Sequence, residues 1–289
     1  MRSVGILARP DLEGAGPLLE GLVSWLAQRG LGACLEERTA ALLPALAPRE
    51  CVLAGRDLAA SVDVLVVLGG DGTLLAASHL LDGRPVPVLG VNFGHLGFLT
   101  EITLPEMYPT LESVLGGDYT WEERRMLRAL VHREGQPDME TDVLNDVVIT
   151  KATLSRIIEM EVSVDGLFVS SFRADGLIVS SPTGSTAYNL AAGGPILHSQ
   201  LPAMVLTPIC PHMLTNRPLV VGDQALVELG LRHAAEGDVH LTLDGQRGLP
   251  LSGRDFVRVT RSPRTVRLVK APTRDYYEVL RTKLKWGER

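Results

Sequence analysis

The chain has 289 residues, a length that allows one large domain or two ordinary ones. Apolar residues make up 45% and charged residues 21%, which supports packed cores and argues against wholesale disorder. The 28 Lys and Arg against 34 Asp and Glu give a net charge of −6. This balance argues against a globally basic nucleic-acid-binding protein.

The cysteines and the N-terminus bear on the cellular compartment. Cys34, Cys51 and Cys210 are odd in number and widely spaced, which favours free thiols over a disulfide framework or a zinc site. The N-terminus lacks the basic start, apolar stretch and small-residue cleavage site of a secretory signal. No apolar run approaches the ~20 residues that cross a membrane. We therefore expect a cytoplasmic protein with neither a membrane nor a nucleic-acid partner.

The first part of the chain alternates strand and helix signals. Val4, Ile6 and Leu7 predict an opening strand, and residues 18–26 have the apolar spacing of a helix that ends near Gly30. Residues 62–68 and 86–91 are apolar on both faces, as in strands that are covered by helices. A helical pattern over Leu74, Leu75, Ser78 and Leu81 separates them. The order strand, helix, strand predicts a parallel sheet and an α/β fold.

The pattern changes near residues 116–118, after which strand signals follow one another. Ile158, Met160, Val162 and Val164 alternate with polar residues, and Asp165-Gly166 predicts a hairpin turn. A short helix is expected from Ser185 or Thr186 to Gly193. Further strands are expected at residues 177–179, 203–206, 226–229, 239–243 and 257–259. The second part is therefore mainly β, and a last helix is expected from the spacing of Tyr276, Leu280 and Leu284.

The most informative motif is Gly-Gly-Asp-Gly-Thr at residues 69–73, between a predicted buried strand and a predicted helix. Ligands of open α/β sheets bind beyond the carboxyl ends of the strands, and glycines let backbone amides approach an anion there. Asp71 would repel a phosphate, so it suggests a proton acceptor for a hydroxyl or a cation ligand. The alternative is a tight turn with Asp71 as a helix cap, and the motif alone leaves the two readings equal.

Three other segments carry polar groups that suit a nucleotide. Residues 92–99 (Asn-Phe-Gly-His-Leu-Gly-Phe-Leu) follow a predicted strand. They are expected to form a structured loop at the same sheet edge as residues 69–73. Asn145 and Asp146 precede another strand, where they either bind a ribose or base edge or simply form a turn. Residues 173–195 contain a hydroxyl-rich turn in which Tyr188 could stack on a base and Asp175 could bind a sugar hydroxyl or an adenine amine.

Several common signatures are missing from the sequence. It contains no Gly-x-x-x-x-Gly-Lys-Ser/Thr loop, no Gly-x-Gly-x-x-Gly after the first strand and no Gly-x-Ser-x-Gly elbow. No His and carboxylate cluster has the spacing of metal ligands. We expect a divalent cation, with Mg²⁺ favoured, to arrive with the phosphates of a nucleotide.

Together and in this order, the motifs resemble those of the NAD kinase family. Residues 69–73 resemble its GGDGT loop, residues 92–99 its NxGxLGFL segment, residues 175–195 its glycine- and hydroxyl-rich signature, and residues 276–287 its closing helix. The resemblance implies phosphoryl transfer from ATP to the 2′-hydroxyl of the adenosine ribose of NAD, which gives NADP. It also implies an α/β domain of residues 1–118, completed by 265–289, and a β-rich NAD-binding domain of residues 119–264.

The resemblance further implies a set of site residues. Asp71 matches the proton acceptor, and Gly72 matches its neighbour at the NAD site. Asp146 stands where the family usually has Glu, so it keeps the charge but is one methylene shorter. The other implied NAD contacts are Asn145, Arg156, Arg173, Asp175, Thr186, Ala187, Tyr188, Asn189, Leu190, Ala191 and Gln246. Subunits are expected to pair as a homodimer or homotetramer.

Two alternatives remain open at this point. Lipid kinases of the diacylglycerol type and phosphofructokinases carry related GGDG loops, but Leu74 and Leu75 follow Thr73 here instead of the Asn-Glu of the lipid kinases. A non-catalytic sensor of NAD or NADP would use the same pocket, although it would have no need of an acid beside the phosphate loop. Inorganic polyphosphate in place of ATP is also compatible with the sequence.

Overall fold

A computed structural model describes residues 1–12, 14–43, 51–94, 96–152, 157–232 and 238–287. The chain forms two compact units. Unit 1 comprises Met1–Glu123 and Val266–Arg289, and unit 2 comprises Arg124–Thr265. Each unit has its own apolar core, and each is described by itself below.

The helices and strands alternate at first, and strands dominate later. The strands are β1 (Ser3–Ala8), β2 (Gly32–Glu36), β3 (Cys51–Leu53), β4 (Val64–Leu68), β5 (Pro87–Asn92), β6 (Ile102–Thr103), β7 (Trp121–His132), β8 (Met139–Val143), β9 (Asp146–Lys151), β10 (Ile158–Val164), β11 (Leu167–Ala174), β12 (Gly176–Ser180), β13 (Ala203–Ile209), β14 (Leu219–Gly222), β15 (Val227–Arg232), β16 (Val239–Leu243), β17 (Arg247–Leu251) and β18 (Phe256–Val269). The α-helices are α1 (Ala15–Gln28), α2 (Glu37–Ala40), α3 (Gly55–Ser61), α4 (Asp71–Leu80), α5 (Leu104–Gly116), α6 (Tyr188–Ala191) and α7 (Tyr276–Leu284).

Unit 1 is built on a parallel sheet in the order β3, β2, β1, β4, β5. Every residue of β4 and β5 is buried, because helices cover both faces of the central strands. The α1 helix buries the stripe Leu19, Leu22 and Leu26 against this core. The predicted α/β fold with a parallel sheet is confirmed, and the carboxyl ends of β4 and β5 place residues 69–73, 92–94 and 96–100 at one sheet edge.

Unit 2 is mainly β, as predicted. One antiparallel sheet has the order β14, β13, β12, β9, β16, β17, and a second contains β11, β10, β15 and the first part of β18. The core includes Val147, Ile149 and Val179 from the first sheet with Met160 and Leu229 from the second. The predicted hairpin at Asp165-Gly166 joins β10 to β11, and both residues have positive φ angles, of 52° and 76°.

The structure differs from the predicted helix that runs from Ser185 or Thr186 to Gly193. That segment contains a 3-10 turn (Gly184–Thr186) followed by the four-residue α6. Ala187 interrupts the helix with φ −99° and ψ −126°, and Gly193 ends the segment with φ 85°. The result is a compact loop with exposed backbone. The predicted final helix is present as α7, capped by Asp275, whose side chain accepts from the Glu278 amide.

Candidate functional site

The glycine-rich loop of unit 1 turns the chain from β4 into α4. Gly70 is the N-cap of α4, and Asp71 is its first residue. A Cβ atom on Gly69 would lie 2.4 Å from the Thr73 hydroxyl oxygen, so only glycine fits there. Gly72 has open space where its Cβ would be, and it is exposed. The loop therefore presents backbone at the start of a ten-residue helix, where the helix dipole favours an anion.

The carboxylate of Asp71 does not cap its own helix. Its Oδ2 accepts from the Phe98 amide at 2.8 Å, and its Oδ1 accepts from the Leu99 amide at 3.0 Å and the Thr100 amide at 3.1 Å. The Thr100 hydroxyl donates to the same Oδ1 at 3.0 Å. We call Asp71 with Phe98, Leu99 and Thr100 the Asp71 cluster. The interpretation of Asp71 as a helix cap is wrong, since its partners belong to a loop that follows another strand.

A carboxylate offers about four acceptor positions, two on each oxygen. Oδ1 of Asp71 is crowded by three donors, whereas Oδ2 accepts a single hydrogen bond from the described part of the chain. Asp71 is half-buried. Its Oδ2 is therefore the oxygen that retains capacity to accept a hydrogen bond from a ligand hydroxyl.

Two cavities of unit 1 border this loop. One, of about 690 Å³, is lined by Gly70, Gly72 and Thr73 together with Arg9 and Arg38. The other, of about 620 Å³, is lined by Gly69, Gly70 and Arg9 with Asn92 and Gly94. Backbone amides, two guanidinium groups and a helix N-terminus suit the phosphates of a nucleotide, although Glu36 and Glu37 also line the first cavity and Asp11, paired with Arg9 at 3.0 Å, lines the second.

Unit 2 holds a second carboxylate bound to three backbone amides. Asp244 accepts from the amides of Leu144 at 2.8 Å, Asn145 at 2.7 Å and Asp146 at 3.1 Å. We call these four residues the Asp244 cluster. Asp244 lies in a hairpin turn between β16 and β17 with φ 52°, and Gly245 follows with φ 65°. This turn fixes the backbone of the predicted Asn145 and Asp146 pair.

The surroundings of Asp146 disfavour the ionised form of its carboxyl group. The residue is 4% exposed, and burial together with the neighbouring Asp244 carboxylate raises the pKa of Asp146 to about 7, from an ordinary value of 3.8. A buried carboxyl with a pKa near neutrality can hold a proton and donate a hydrogen bond at physiological pH. Such perturbed groups are concentrated at functional sites.

A pocket of about 410 Å³ brings several of the predicted residues together in unit 2. Tyr188 lines this pocket and is 45% exposed, so its ring is accessible for stacking on a ligand. Asn145 Oδ1 and Thr183 Oγ1 are buried without a hydrogen-bond partner among the described residues, which is unusual unless a ligand supplies one. The pocket is lined by Asn145, Asp146, Val148, Thr150, Ala187, Tyr188, Thr242, Asp244 and Gly245.

Other predicted residues lie outside the lining of this pocket. Asp175 is held by Lys151, with 2.7 Å between Nζ and Oδ1. Asn189 is fully buried: its amide donates to the Ser185 and Pro195 carbonyls and accepts from the Thr207 hydroxyl, so in this conformation it supports the loop.

The remaining predicted residues take varied positions. Arg173, Ala191 and Gln246 are exposed, whereas Leu190 is half-buried. The Thr186 hydroxyl donates to the Thr183 carbonyl. Arg156 lies outside the described residues, as does His95 of the second motif.

The sequence did not single out Asp244, which lines the pocket, or Thr183 and Lys151, which lie outside its lining. Asp244 lies about a hundred positions from the amides it binds, and only its position before Gly245 hints at the positive-φ turn that aims its carboxylate. Lys151 and Asp175 are adjacent because β9 and β12 pair. Thr183 lies within the hydroxyl-rich segment, where sequence alone did not separate it from its neighbours.

The described residues contain no group of three or more His, Cys, Asp or Glu that could hold a metal ion. Within the described part of the chain, no helix is both long and apolar enough to cross a membrane.

The fold and the two polar sites define a two-unit nucleotide-binding protein with an acid at its phosphate loop. Comparison with known families is more specific. Residues 4–119 match the ATP-NAD kinase N-terminal domain, and residues 144–271 match the ATP-NAD kinase C-terminal domain. NAD kinases from Citrifermentans bemidjiense and Geotalea daltonii are each 50% identical to this chain, over 293 and 291 residues, with 100% of both chains covered. The chain belongs to the ATP-NAD kinase family.

Solved structures show the same fold. The yeast NADH kinase complexed with NADH is similar with a TM-score of 0.91 at 24% identity, covering 100% of this chain and 89% of that one. An NAD kinase from Archaeoglobus fulgidus in complex with ATP has a TM-score of 0.74 at 23% identity, covering 98% and 99%. These likenesses agree with the α/β and β-rich architecture described above.

Proposed function

We infer that this chain catalyses the transfer of the terminal phosphoryl group of ATP to the 2′-hydroxyl of the adenosine ribose of NAD, which gives NADP. The observation that carries this inference is the full-length match, at 50% identity, to curated NAD kinases. The retained Gly-Gly-Asp-Gly-Thr loop, with an acceptor position open on Asp71, supports it from the structure.

We assign the acceptor NAD to the pocket of unit 2. The ring of Tyr188 provides a stacking surface for the adenine, and the unpartnered Asn145 Oδ1, in the lining of the same pocket, offers a hydrogen bond to its polar edge. The buried Asp146 carboxyl, with a pKa near 7, can donate to a ligand oxygen or accept from a hydroxyl. The family resemblance adds Gly72, Arg156, Arg173, Asp175, Thr186, Ala187, Asn189, Leu190, Ala191 and Gln246 as further contacts.

We assign MgATP to the cavities that border the glycine-rich loop of unit 1. The amides at the start of α4 and the guanidinium groups of Arg9 and Arg38 would neutralise the phosphates. The cation would be delivered with the nucleotide, because Mg²⁺ is usually bound through substrate phosphates together with one or two carboxylates. Phosphoryl transfer depends mainly on alignment and charge neutralisation, which such a site supplies.

In the proposed reaction, the ribose 2′-oxygen forms a bond to the γ-phosphorus as the bond from that phosphorus to the β,γ-bridging oxygen breaks, and ADP leaves. The hydroxyl proton passes to Oδ2 of Asp71, the carboxylate oxygen with an open acceptor position. General-base assistance contributes about 10²–10⁴-fold, and alignment of the two substrates supplies more. Asp71 is therefore proposed as the catalytic residue.

We also propose that the chain acts in the cytoplasm as a homodimer or homotetramer, with folding domains of residues 1–118 plus 265–289 and residues 119–264. Size-exclusion chromatography with light scattering would give the oligomeric state. Limited proteolysis would locate the boundaries between the folding domains.

The function is tested by incubating the chain with MgATP and NAD and measuring NADP with an NADP-specific dehydrogenase. We expect NADP to accumulate in proportion to enzyme and to require both nucleotides. Parallel reactions replace ATP with polyphosphate, NAD with NADH, and NAD with diacylglycerol. Phosphorylation of the lipid alone would identify a lipid kinase. Binding of NAD without any turnover would identify a sensor, and either result would overturn the proposal.

A further inference from the structure

The Thr100 hydroxyl lies between two polar side chains. It is 3.0 Å from Asp71 Oδ1 and 3.0 Å from Asn92 Nδ2, and Thr100 is completely buried. An ionised carboxylate can only accept, so the hydroxyl must donate its proton to Asp71. The same oxygen then accepts from the Asn92 amide nitrogen. The direction of both hydrogen bonds is thus determined by the chemistry of the partners.

The orientation of Asn92 is fixed in the same way. Its Oδ1 accepts from the Gly94 amide at 2.6 Å, and its Nδ2 donates to Thr100. If the amide were flipped, an NH₂ group would face the Gly94 N–H, and two oxygens would compete at Thr100. Asn92 is only 8% exposed, so a polar group left without a hydrogen bond here would lower the free energy of unfolding. The chain of hydrogen bonds from Gly94 through Asn92 and Thr100 to Asp71 has one consistent arrangement.

The space around Asp71 Oδ1 leaves no room for another arrangement. A Cβ atom on Gly97 would lie 2.1 Å from Asp71 Oδ1 and 2.3 Å from Thr100 Oγ1. The loop backbone therefore packs directly against both oxygens. Three donors meet Oδ1 and one meets Oδ2 within the described residues, so the carboxylate is held asymmetrically. Rotation of the carboxylate would break this set.

We propose that Thr100 and Asn92 are positioning residues: the Thr100 hydroxyl, oriented by the Asn92 amide, donates to Oδ1 of Asp71 and fixes the carboxylate so that Oδ2 carries the acceptor position for the ribose hydroxyl. Thr100 is completely buried and lines neither of the two cavities of unit 1. The inference rests on the proposed function, because it gives Thr100 a part in turnover only if Asp71 accepts the proton.

The test is the substitution Thr100→Val, which removes the hydroxyl and keeps the shape. We expect kcat to fall about tenfold to hundredfold, since small misplacements of a catalytic group have effects of this size. The KM values for NAD and ATP should change by less than about twofold, because uniform binding is not removed. Thr100→Ser restores a hydroxyl and should recover most of the turnover. Ser78→Ala removes another buried hydroxyl of unit 1, which donates to the Leu75 carbonyl on α4, and should leave kcat unchanged.

A second variant tests the chain of hydrogen bonds. Asn92→Ala should lower kcat, and the double variant with Thr100→Val should be little worse than Thr100→Val alone, because both act through one contact. If Thr100→Val does not fold, Asn92→Ala and Thr100→Ser carry the comparison. Because Asn92 also lines a cavity assigned to MgATP, the KM for ATP is measured as well, and a loss confined to kcat supports positioning whereas a rise in that KM alone contradicts it. Turnover of Thr100→Val within twofold of wild type in a folded protein would overturn the proposal, as would equal losses with Ser and Val. If Asp71→Asn itself remained active, the proposed proton acceptor would fail instead.

Discussion

The two units use the same device, a carboxylate that binds the backbone amides of three consecutive residues, with different consequences. In the Asp71 cluster the amides belong to Phe98, Leu99 and Thr100, and one acceptor position stays open on Oδ2. In the Asp244 cluster the amides belong to residues 144–146, and Asp244 is only 5% exposed. The first cluster orients a carboxylate that is itself available for chemistry. The second fixes the backbone of residues 144–146, which include Asn145 and Asp146 of the pocket lining.

The two carboxylates also differ in the electrostatic free energy of their surroundings. The Asp71 carboxylate is half-buried and well supplied with donors. The Asp244 carboxylate is satisfied by its amides, but it lies beside the buried Asp146, and the two negative charges disfavour each other. Asp146 lines the pocket that we propose binds NAD, and carboxyl groups with such perturbed pKa values are concentrated at functional sites.

The largest effect is expected from Asp244→Ala, which leaves three backbone amides without their acceptor. The free energy of unfolding should fall by about 3–5 kcal/mol, since bonds to a buried charge are among the stronger ones. NAD affinity should fall as well, because residues 144–146 lose their fixed backbone. Urea denaturation and NAD titration at a temperature where the variant remains folded measure the two effects.

A matched control for that variant is Asp255→Ala. Asp255 is 6% exposed and accepts from the amides of Glu134 and Ser252, but it does not line the pocket. It should lose stability and keep NAD affinity. If both variants lost NAD affinity equally, Asp244 would have no particular connection with the ligand site.

A smaller effect, with a characteristic pH dependence, is expected from Asp146→Asn. The folded-state pKa of Asp146, about 7, lies above its ordinary value of 3.8. The folded chain therefore keeps a proton that the unfolded chain has released, and the wild type loses stability as the pH rises from about 4 to 7. The Asn variant lacks this loss. Its free energy of unfolding relative to wild type should thus rise by about 2–3 kcal/mol between pH 5 and pH 8.

Urea denaturation at several pH values across this window measures that difference. Asp57→Asn, which changes an exposed carboxylate on α3, should follow the pH dependence of the wild type. A constant difference between Asp146→Asn and the wild type would show that the Asp146 carboxyl is charged in the folded protein throughout this range. The claim that the charges of Asp146 and Asp244 disfavour each other in the folded protein would then be wrong.

The smallest of these effects concerns Tyr188. Replacement by Ala should raise the KM for NAD about fivefold to thirtyfold, which corresponds to about 1–2 kcal/mol of lost stacking, with little change in kcat. Tyr188→Phe keeps the ring and should resemble wild type. Tyr277→Ala removes another exposed tyrosine, on α7, and should not affect KM. A fall in kcat alone would show that Tyr188 is not a binding surface.

The sequence predicted the fold where the periodicity was strong. The buried strands β4 and β5, the hairpin at Asp165-Gly166 and the last helix all follow from local patterns. The helices α2, α3 and α5 were not predicted. The α5 helix contains Pro109, but it is stabilised by a capping box of Thr103 and Glu106, which a search for apolar spacing overlooks.

The candidate site was predictable only in part, for a related reason. Asp71, Asn145 and Asp146 belong to conspicuous sequence motifs next to predicted strands, so the sequence singled them out. The partners that orient them lie far along the chain: Thr100 is 29 positions from Asp71, and Asp244 is 99 and 98 positions from Asn145 and Asp146. They become neighbours only after the strands have paired. Local propensity carries no information about such contacts.

The most direct test of the account is the turnover of Asp71→Asn with MgATP and NAD, alongside its melting temperature and NAD affinity. The account predicts a folded protein that binds NAD within about threefold of wild type and loses kcat by at least about a hundredfold, because Asn cannot take up the proton. Near-wild-type turnover in that folded variant would contradict the assignment of Asp71 as the proton acceptor.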